Sequence, residues 1–374
     1  MRAFQLTVLS LLLCAAAAGI WYFYRPEPPV QIVLITDEQG EYRLLSQGLQ
    51  ASLQRGLQNW RREYHIQLLP YASDLKALAQ HFPPPAKIDL VIGCVDSPCA
   101  RQVLGLLENT PVPFFFTGNS EGLLQHPRLW HLGAISNQSI FPALAMALQT
   151  HTGGIYFVGQ ESVQSRMQAA LLSEYAQLHK ATWQGEVFVR ADSDWQTLRG
   201  DLQMQQPAIL INAQCGFAGM ALYEKIPRSK ALIINTCLNE YEAALLAEHA
   251  SGDWFLSVYQ PGVDGFSQQE KMVSLAVGLL EPLQKKTFKA SYLSIQLRNQ
   301  NFLQGNDMSV VDNDNQHIWH DLYIYSTDAT GKLKTLYAQT FSQRPELVPS
   351  QRSPSQWELD ALIYWRNRGG KWRE

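Results

Sequence analysis

The sequence predicts an α/β protein of two Rossmann-like lobes, each built on a parallel sheet. The chain has 374 residues, which is too long for one compact core. Short apolar segments alternate with amphipathic ones, the pattern of parallel sheets with helices on both faces. This alternation occurs in two consecutive parts of the chain, which are separated near 136–140. We therefore expect two similar lobes joined by a hinge.

The first lobe is predicted from the alternation that begins at residue 31. Its apolar segments are rich in β-branched residues and leucine, as in Ile32-Val33-Leu34-Ile35. Strands are predicted at 31–36, 66–69, 88–93 and 112–117. Helices are predicted at 41–62, 75–81 and 100–108.

The second lobe repeats the same order after residue 154. Strands are predicted at 155–159, 186–189, 208–211, 231–234 and 254–259. Helices are predicted at 162–179, 195–203, 218–226 and 240–249. Strands of this length between helices are typical of parallel sheets.

The pattern changes after the second lobe. Helices are predicted at 268–284 and 290–297, followed by an antiparallel pair, 317–325 and 332–337, joined by a turn at 328–331. A short helix at 355–366 would be capped by Ser355 and stopped by Gly369-Gly370. We expect this tail to be peripheral.

These segments divide the chain into four parts. The predicted parts are 1–29 as signal peptide or membrane anchor with a proline spacer, 30–138 plus about 259–300 as lobe 1, 139–258 plus about 301–340 as lobe 2, and 341–374 as a tail.

The N-terminal segment indicates the compartment. Residues 4–24 are almost all apolar, and their number is just enough to span a bilayer. A cleaved signal peptide would use the alanine run at 15–18 as its cleavage site. An uncleaved anchor would place the aromatic residues 21–24 at the membrane interface, and we favour it because a mature chain starting there would expose an apolar end. Either way the lobes lie in the periplasm, in the second case tethered to the inner membrane.

Composition and motifs argue against several function classes. The formal net charge is -3 and no Lys/Arg block is present, which argues against nucleic acid. No serine-hydrolase elbow, zinc-protease motif or phosphate loop occurs. We therefore expect no catalytic activity, no cofactor and no metal site.

Four cysteines follow the N-terminal segment. Cys94 and Cys99 are five apart across a predicted strand-to-helix turn, and Cys215 and Cys237 each follow a similar apolar strand. An even number in an oxidising compartment permits two disulfides. The alternative for each pair is two free, buried thiols.

Polar residues at strand ends are the candidate ligand-binding residues of lobe 1, because open α/β sheets bind ligands beyond the carboxyl ends of their strands. Asp96 and Ser97 follow one strand and precede a helix, whose N-terminus favours an anionic or carbonyl oxygen. The alternative is that either residue only caps the helix. Phe116, Thr117 and Gly118 follow the next strand, and Gly118 would allow close backbone approach; the alternative is an ordinary polar loop.

Lobe 2 offers Gln160, Gln214 and Glu240 at equivalent places. Each follows a predicted strand. Glu240 would meet a cationic or amide N–H group of the ligand. The alternative is a first-turn acid favoured by the helix dipole.

The order of several motifs resembles a known family. Gly93-Cys94, Ser97, Glu121-Gly122, the segment at 132–139 with Asn137-Gln138, and the hairpin from Asn315 to Gly331 are similar to segments of the type I periplasmic binding proteins of the urea, short-chain amide and branched-chain amino-acid group. The resemblance covers roughly residues 30–337.

The resemblance implies the type I periplasmic binding fold, with three crossovers between lobes, and ligand contacts at Ser97 and at the backbone of 116–118. Departures concern the pocket. Val95, Phe116 and Ser120 stand where the family often has tyrosine, and Ser162 and Gln164 replace tyrosines of lobe 2. Ligand identity therefore does not carry over.

Two functions follow as hypotheses. One is a solute-binding protein that delivers a small polar solute, such as an amide, urea or amino acid, to an inner-membrane ABC permease. The other is a membrane-anchored sensor or scaffold module that uses the same lobes, with an altered pocket, to contact a membrane partner.

Overall fold

The computed structural model describes residues 28–37, 40–46, 48–60, 62–71, 75–190, 192–261, 268–280, 301–304, 307–347 and 350–373. They form the predicted α/β fold with a parallel sheet in each of two lobes, which confirms the fold class. The N-terminal segment 4–24 and the predicted helix at 290–297 lie outside the described residues.

Lobe 1 is built on a parallel sheet with the order β2-β1-β3-β4-β5 among its described strands. These strands are β1 Val30–Thr36, β2 Tyr64–Pro70, β3 Leu90–Gly93, β4 Phe114–Phe116 and β5 Leu129–His131. Its central strands are buried on both faces, which explains their continuous apolar sequence.

Four helices connect the described strands of lobe 1. They are α1 Arg43–Ser46, α2 Leu49–Leu57, α3 Leu75–His81 and α4 Ser97–Leu106. The single helix predicted at 41–62 is interrupted, because Gly48 takes a left-handed backbone conformation with φ of 81°.

Lobe 2 carries a sheet with the order β14-β13-β10-β9-β8-β6-β7 among its described strands. They are β6 Gly154–Gln160, β7 Thr182–Val189, β8 Ile209–Asn212, β9 Leu232–Asn235, β10 Trp254–Ser257, β13 His320–Thr327 and β14 Leu333–Gln343. The helices are α5 Ile140–Thr150, α6 Val163–Leu178, α7 Asp192–Gln205, α8 Gly216–Lys225 and α9 Glu240–Leu246. Pairing is parallel up to β10 and antiparallel for the late pair, as the sequence predicts.

The described chain passes between the lobes three times. Leu132 lies in the core of lobe 1 and Ile140 in that of lobe 2. The chain returns after β10, since Val258 packs in lobe 1 together with α10, Gln268–Leu280. It crosses again between Ile318 and Leu322.

A short hairpin precedes the last crossover. It consists of β11, Asn301–Gln304, and β12, Asp307–Val310. β11 lies beside α10 of lobe 1. The chain therefore crosses into lobe 2 after this hairpin, whereas the sequence-based prediction starts that part of lobe 2 at about residue 301.

The tail is part of lobe 2, so the expectation that it is peripheral is wrong. It forms α11, Pro354–Asn367, and the side chain of Ser353, not the predicted Ser355, is its N-cap. Trp357 and Ala361 are buried in the core of lobe 2, where α11 packs against α6. Apolar residues one turn apart therefore dock this helix. Among the described residues, none of the helices combines the length and apolar character needed to cross a membrane.

Candidate functional site

The two lobes are in contact at the carboxyl ends of their strands. The backbone N–H of Ser97 donates to Gln164 Oε1 at 3.1 Å, and Gln160 Nε2 donates to Glu41 Oε1 at 2.7 Å. Asn239 Nδ2 donates to the carbonyl of Leu44 at 3.2 Å. Each contact joins lobe 1 to lobe 2, so the structure has a closed cleft.

Tyr42 lies at the centre of this contact. It is fully buried and packs with Leu45 and Val95 of its own lobe and with Cys215 of lobe 2. Its ring lies edge-on to that of Tyr71, with centroids 5.1 Å apart. These two rings supply aromatic surface to the cleft.

Asp96 caps α4 and also faces the cleft. Its Oδ1 accepts from the backbone N–H of Cys99 at 3.0 Å, which is the capping role. Its Oδ2 accepts from the hydroxyl of Tyr71 at 2.9 Å and from that of Tyr42 at 3.4 Å. Capping and cleft contact are thus made by different oxygens of one carboxylate.

Arg373, from the segment after α11, enters the cleft. Its guanidinium donates to the hydroxyls of Tyr42 and Tyr71 and forms an ion pair with Glu41. Nη1 lies 3.7 Å from Asp96 Oδ2, and the guanidinium carbon lies 5.0 Å from the centroid of the Tyr42 ring. The side chain is only 11% exposed. We call Glu41, Tyr42, Tyr71, Asp96, Gln160 and Arg373 the cleft cluster.

Ionisation in the cleft cluster is governed by burial and by Arg373. Burial raises the pKa of Asp96, while the nearby Arg373 guanidinium opposes that shift. Burial also raises the pKa of the Tyr42 and Tyr71 phenols well above the usual value, with Asp96 adding to it. Both phenols therefore keep their protons and can donate to Asp96.

The segment that carries Arg373 is attached to lobe 2. The backbone N–H of Val163 donates to the carbonyl of Trp372 at 2.9 Å, and Arg373 forms an antiparallel bridge with Ser162. The Trp372 ring stacks on Trp365 of α11, with centroids 5.5 Å apart. Arg373 therefore spans the cleft from an attachment on one lobe to acceptors on the other.

Ser97 has a second partner within its own lobe. Its hydroxyl donates to Glu121 Oε2 at 2.5 Å, and Glu121 also pairs with Arg101 at 3.4 Å. Both Ser97 and Glu121 are buried. The backbone N–H of Ser97 points across the cleft, whereas its side chain belongs to the wall of lobe 1.

The second segment predicted for lobe 1 lies in the interior of that lobe. Phe116 stacks on His131 with centroids 4.7 Å apart, and the hydroxyl of Thr117 donates to the carbonyl of Cys94 at 3.0 Å. The carbonyl of Gly118 lies 2.8 Å from His131 Nε2. The described contacts of all three are with lobe 1 itself.

Gln214 and Glu240 are buried elsewhere in lobe 2. Gln214 precedes the cleft residue Cys215, and its Oε1 has no hydrogen-bond partner among the described residues. Glu240 accepts a hydrogen bond from Tyr259, beside the second crossover. Burial raises the pKa of Glu240 to about 7. The structure therefore brings Asp96, Ser97 and Gln160 together and sets Glu240 at the hinge.

The cysteines are paired at the cleft. Cys94 is bonded to Cys99 with their Cα atoms 5.6 Å apart, and Cys215 to Cys237 with a Cα distance of 5.0 Å. The second bond joins the ends of β8 and β9, next to Tyr42. It fixes part of the lobe 2 wall.

Sequence reasoning did not find Tyr42, Tyr71 or Arg373, and it noted Gln164 only as the replacement of a family tyrosine. Tyr71 directly follows β2, so the strand-end rule applied to that strand would have found it. Tyr42 lies in the loop between β1 and α1, and Arg373 lies in the segment after α11. Neither position carries a periodic pattern that indicates a ligand.

Two lobes with parallel sheets, three passages between them and a cleft at the strand ends define a type I periplasmic binding fold. A family model described as periplasmic binding protein domain matches residues 71–240 of this chain. The family resemblance seen in the sequence is thereby confirmed. No curated protein sequence matches the chain.

Solved structures share the fold at low sequence identity. A solute-binding protein of an ABC transporter from Rhodopseudomonas palustris, in complex with p-hydroxybenzoic acid, has a TM-score of 0.69 at 13% identity and covers 85% of this chain and 98% of its own. A leucine-binding protein from Thermotoga maritima has a TM-score of 0.68 at 14% identity and covers 83% and 98%. The isoleucine complex of a branched-chain amino-acid binding protein from Streptococcus pneumoniae has a TM-score of 0.67 at 13% identity and covers 84% and 100%.

Proposed function

We propose that this protein is an extracytoplasmic solute-binding protein of an ABC-type transporter that closes its lobes on a small polar solute. The periplasmic binding protein domain supports this class. The observation that carries the proposal is the contact of the Ser97 N–H with Gln164, because it brings the N-terminus of α4 against a polar side chain of the other lobe. A solute seated there would be held by both lobes.

The chemistry of this place favours an amino acid, amide or urea. The N-terminal N–H groups of α4 suit a carboxylate or carbonyl oxygen. Asp96, Gln160 and Gln214 add acceptors and amide donors. Related folds hold p-hydroxybenzoic acid and isoleucine, each of which carries a carboxylate. Better contacts in the closed state would shift the population from open to closed lobes.

A thermal-shift screen of the folded protein tests the proposal. Amino acids, amides, urea, polyamines and benzoates are added at millimolar concentration, and a bound solute raises the melting temperature because it binds only the folded state. Gln164→Ala removes the lobe 2 partner of the Ser97 N–H and should weaken binding of the identified solute. Gln177→Ala makes the same change at an exposed position of the same helix and should leave binding unchanged. No shift with any solute would contradict the proposal.

A second candidate is a membrane-anchored sensor or scaffold, and one observation favours it. Arg373 fills the part of the cleft in which a solute would lie. With residues 4–24 retained as an anchor, the lobes would act close to the inner membrane. N-terminal sequencing of the protein from membranes tests this: an N-terminus near Gly19 would argue for cleavage and against the anchored sensor.

A further inference from the structure

We propose that Arg373 is an internal ligand: its guanidinium occupies a cation subsite of the cleft, and a solute with a guanidinium group binds by displacing it. This inference rests on the proposed function, because it names the solute class for the same cleft.

The subsite has the chemistry that a guanidinium requires. Glu41 forms an ion pair with Arg373, and Asp96 lies 3.7 Å from the same guanidinium. The Tyr42 ring offers its face at 5.0 Å. A planar cation suits both features, because it pairs with carboxylates through a fork of N–H groups and stacks on aromatic rings.

The subsite needs a cation when it is closed. Asp96 is only 4% exposed. A buried carboxylate without a positive partner is costly, and here Arg373 is the cation closest to Asp96 in the described ion pairs. Removing Arg373 therefore leaves the subsite with negative charge and with space for another cation.

The way Arg373 is attached allows it to leave. Gly369 and Gly370 both have positive φ, 66° and 81°, and form the turn between α11 and the Arg373 segment. Beyond that turn the segment is held by the Val163–Trp372 hydrogen bond and the bridge between Ser162 and Arg373. The Trp372 ring also stacks on Trp365 and lies under the Arg101 guanidinium. Release needs only this short segment to move, while α11 stays docked through Trp357 and Ala361.

An attached competitor raises the solute concentration that is needed for binding. A group on a short tether has an effective concentration in the millimolar range. With a Kd of about 0.1 mM for the tethered Arg373, the free cleft should bind a guanidinium solute about tenfold more tightly than the cleft that Arg373 occupies. Because Arg373 occupies the subsite and contacts both lobes, it also accounts for the closed arrangement of the lobes.

Calorimetric titration of the full chain with L-arginine, agmatine and L-citrulline tests the inference. Citrulline has the shape of arginine with an uncharged urea group. We expect Arg373→Ala to bind arginine or agmatine about tenfold more tightly than the unchanged protein, and citrulline weakly. The control Arg366→Ala removes the same side chain from an exposed position on α11 and should behave like the unchanged protein.

A second measurement on the unchanged protein does not depend on the folding of a variant. Arginine should speed hydrogen exchange of the Val163 amide, which is bonded to Trp372, and citrulline should not. Equal arginine affinity in both proteins, citrulline binding as strong as arginine binding, or unchanged exchange with arginine bound would each overturn the inference. If another solute binds both proteins equally, the proposed function stands and this inference falls; if no solute binds either folded protein, both fall.

Discussion

Arg373 donates a hydrogen bond to the hydroxyl of Tyr42, a residue 331 positions earlier in the chain, and this bond crosses the cleft between the lobes. Tyr42 belongs to lobe 1, whereas the segment that carries Arg373 pairs with the start of α6 in lobe 2. The closed arrangement therefore depends on how the tail docks. Interactions that hold the tail should also hold the cleft.

The carboxylate of Glu161 makes interactions of this kind. Its buried carboxylate accepts two hydrogen bonds from Arg166, both at 2.7 Å, and pairs with Arg368 just after α11. Burial raises the pKa of Glu161, but the surrounding arginines overcome this effect and hold the pKa below its usual value.

Glu161→Gln should therefore destabilise the protein by about 2 kcal/mol and loosen the tail, because it leaves these cations without their buried partner. Urea unfolding and hydrogen exchange at Val163 measure the two effects. Glu358→Gln makes the same chemical change at an exposed position on α11 and is the matched control. Equal stability of the two variants would contradict this role of Glu161.

Stability should fall as the pH rises from 5 to 9, because two carboxyls are buried at the start of α9. Burial raises the pKa of Glu240 to about 7 and that of Glu242 to about 8, from a usual 4.5. Between the usual pKa of 4.5 and these raised values, the folded chain binds more protons than the unfolded chain. Increasing pH in that interval therefore favours unfolding. For Glu240 alone the loss is on the order of 3 kcal/mol.

Glu240→Gln should remove its share of that loss. The amide keeps an oxygen to accept the Tyr259 hydrogen bond. Its melting temperature should exceed that of the unchanged protein at pH 9 and approach it near pH 5. Glu248→Gln, at an exposed position in the same region, should follow the unchanged protein. Parallel pH profiles for all three proteins would count against the buried-charge explanation.

The sequence was sufficient for the fold because its signals are local. The run Ile32-Val33-Leu34-Ile35 is apolar throughout since β1 is buried on both faces, and such runs recur at each central strand. Asp96, Ser97 and Gln160 were found by one topological rule, that ligands bind beyond strand ends. That rule depends only on the order of strands.

The cleft cluster required information that is not local. Tyr42 and Arg373 meet only because α11 docks on lobe 2 and the lobes close. The rule also selected Phe116 and Thr117, although β4 ends in the interior of lobe 1, so their side chains pack on His131 and on Cys94. A strand end identifies a region, and packing decides which side chains reach the cleft.

The disulfides should differ in their contribution to stability. Cys215 and Cys237 are separated by 22 positions and Cys94 and Cys99 by five. A longer closed loop restricts the unfolded chain more. Replacing Cys215 and Cys237 by serine should therefore cost about 3 kcal/mol, and replacing Cys94 and Cys99 about 2 kcal/mol. Thermal unfolding of the two double variants measures the order. Labelling of free thiols in the unchanged, unfolded protein is the control, and four reactive thiols after the N-terminal segment would refute both bonds.

Gly118 should be intolerant of a side chain because other backbone segments approach it. A Cβ atom there would lie 2.3 Å from the carbonyl oxygen of Val95, which is well inside contact distance. The sequence suggested that Gly118 admits a ligand, whereas the close approach in the structure is by the chain itself. Gly118→Ala must push apart the loops that follow β3 and β4, at a cost of about 2 to 3 kcal/mol.

Gly105 provides the matched comparison for that substitution. It lies on α4, and a Cβ atom there would meet nothing within 4 Å. Gly105→Ala should be neutral or stabilising by up to about 1 kcal/mol, because alanine favours the helix. Free energies of unfolding in urea for the two variants separate the explanations. If Gly118→Ala were as stable as Gly105→Ala, the loops would be free to move apart, and Gly118 could then face a solute after all.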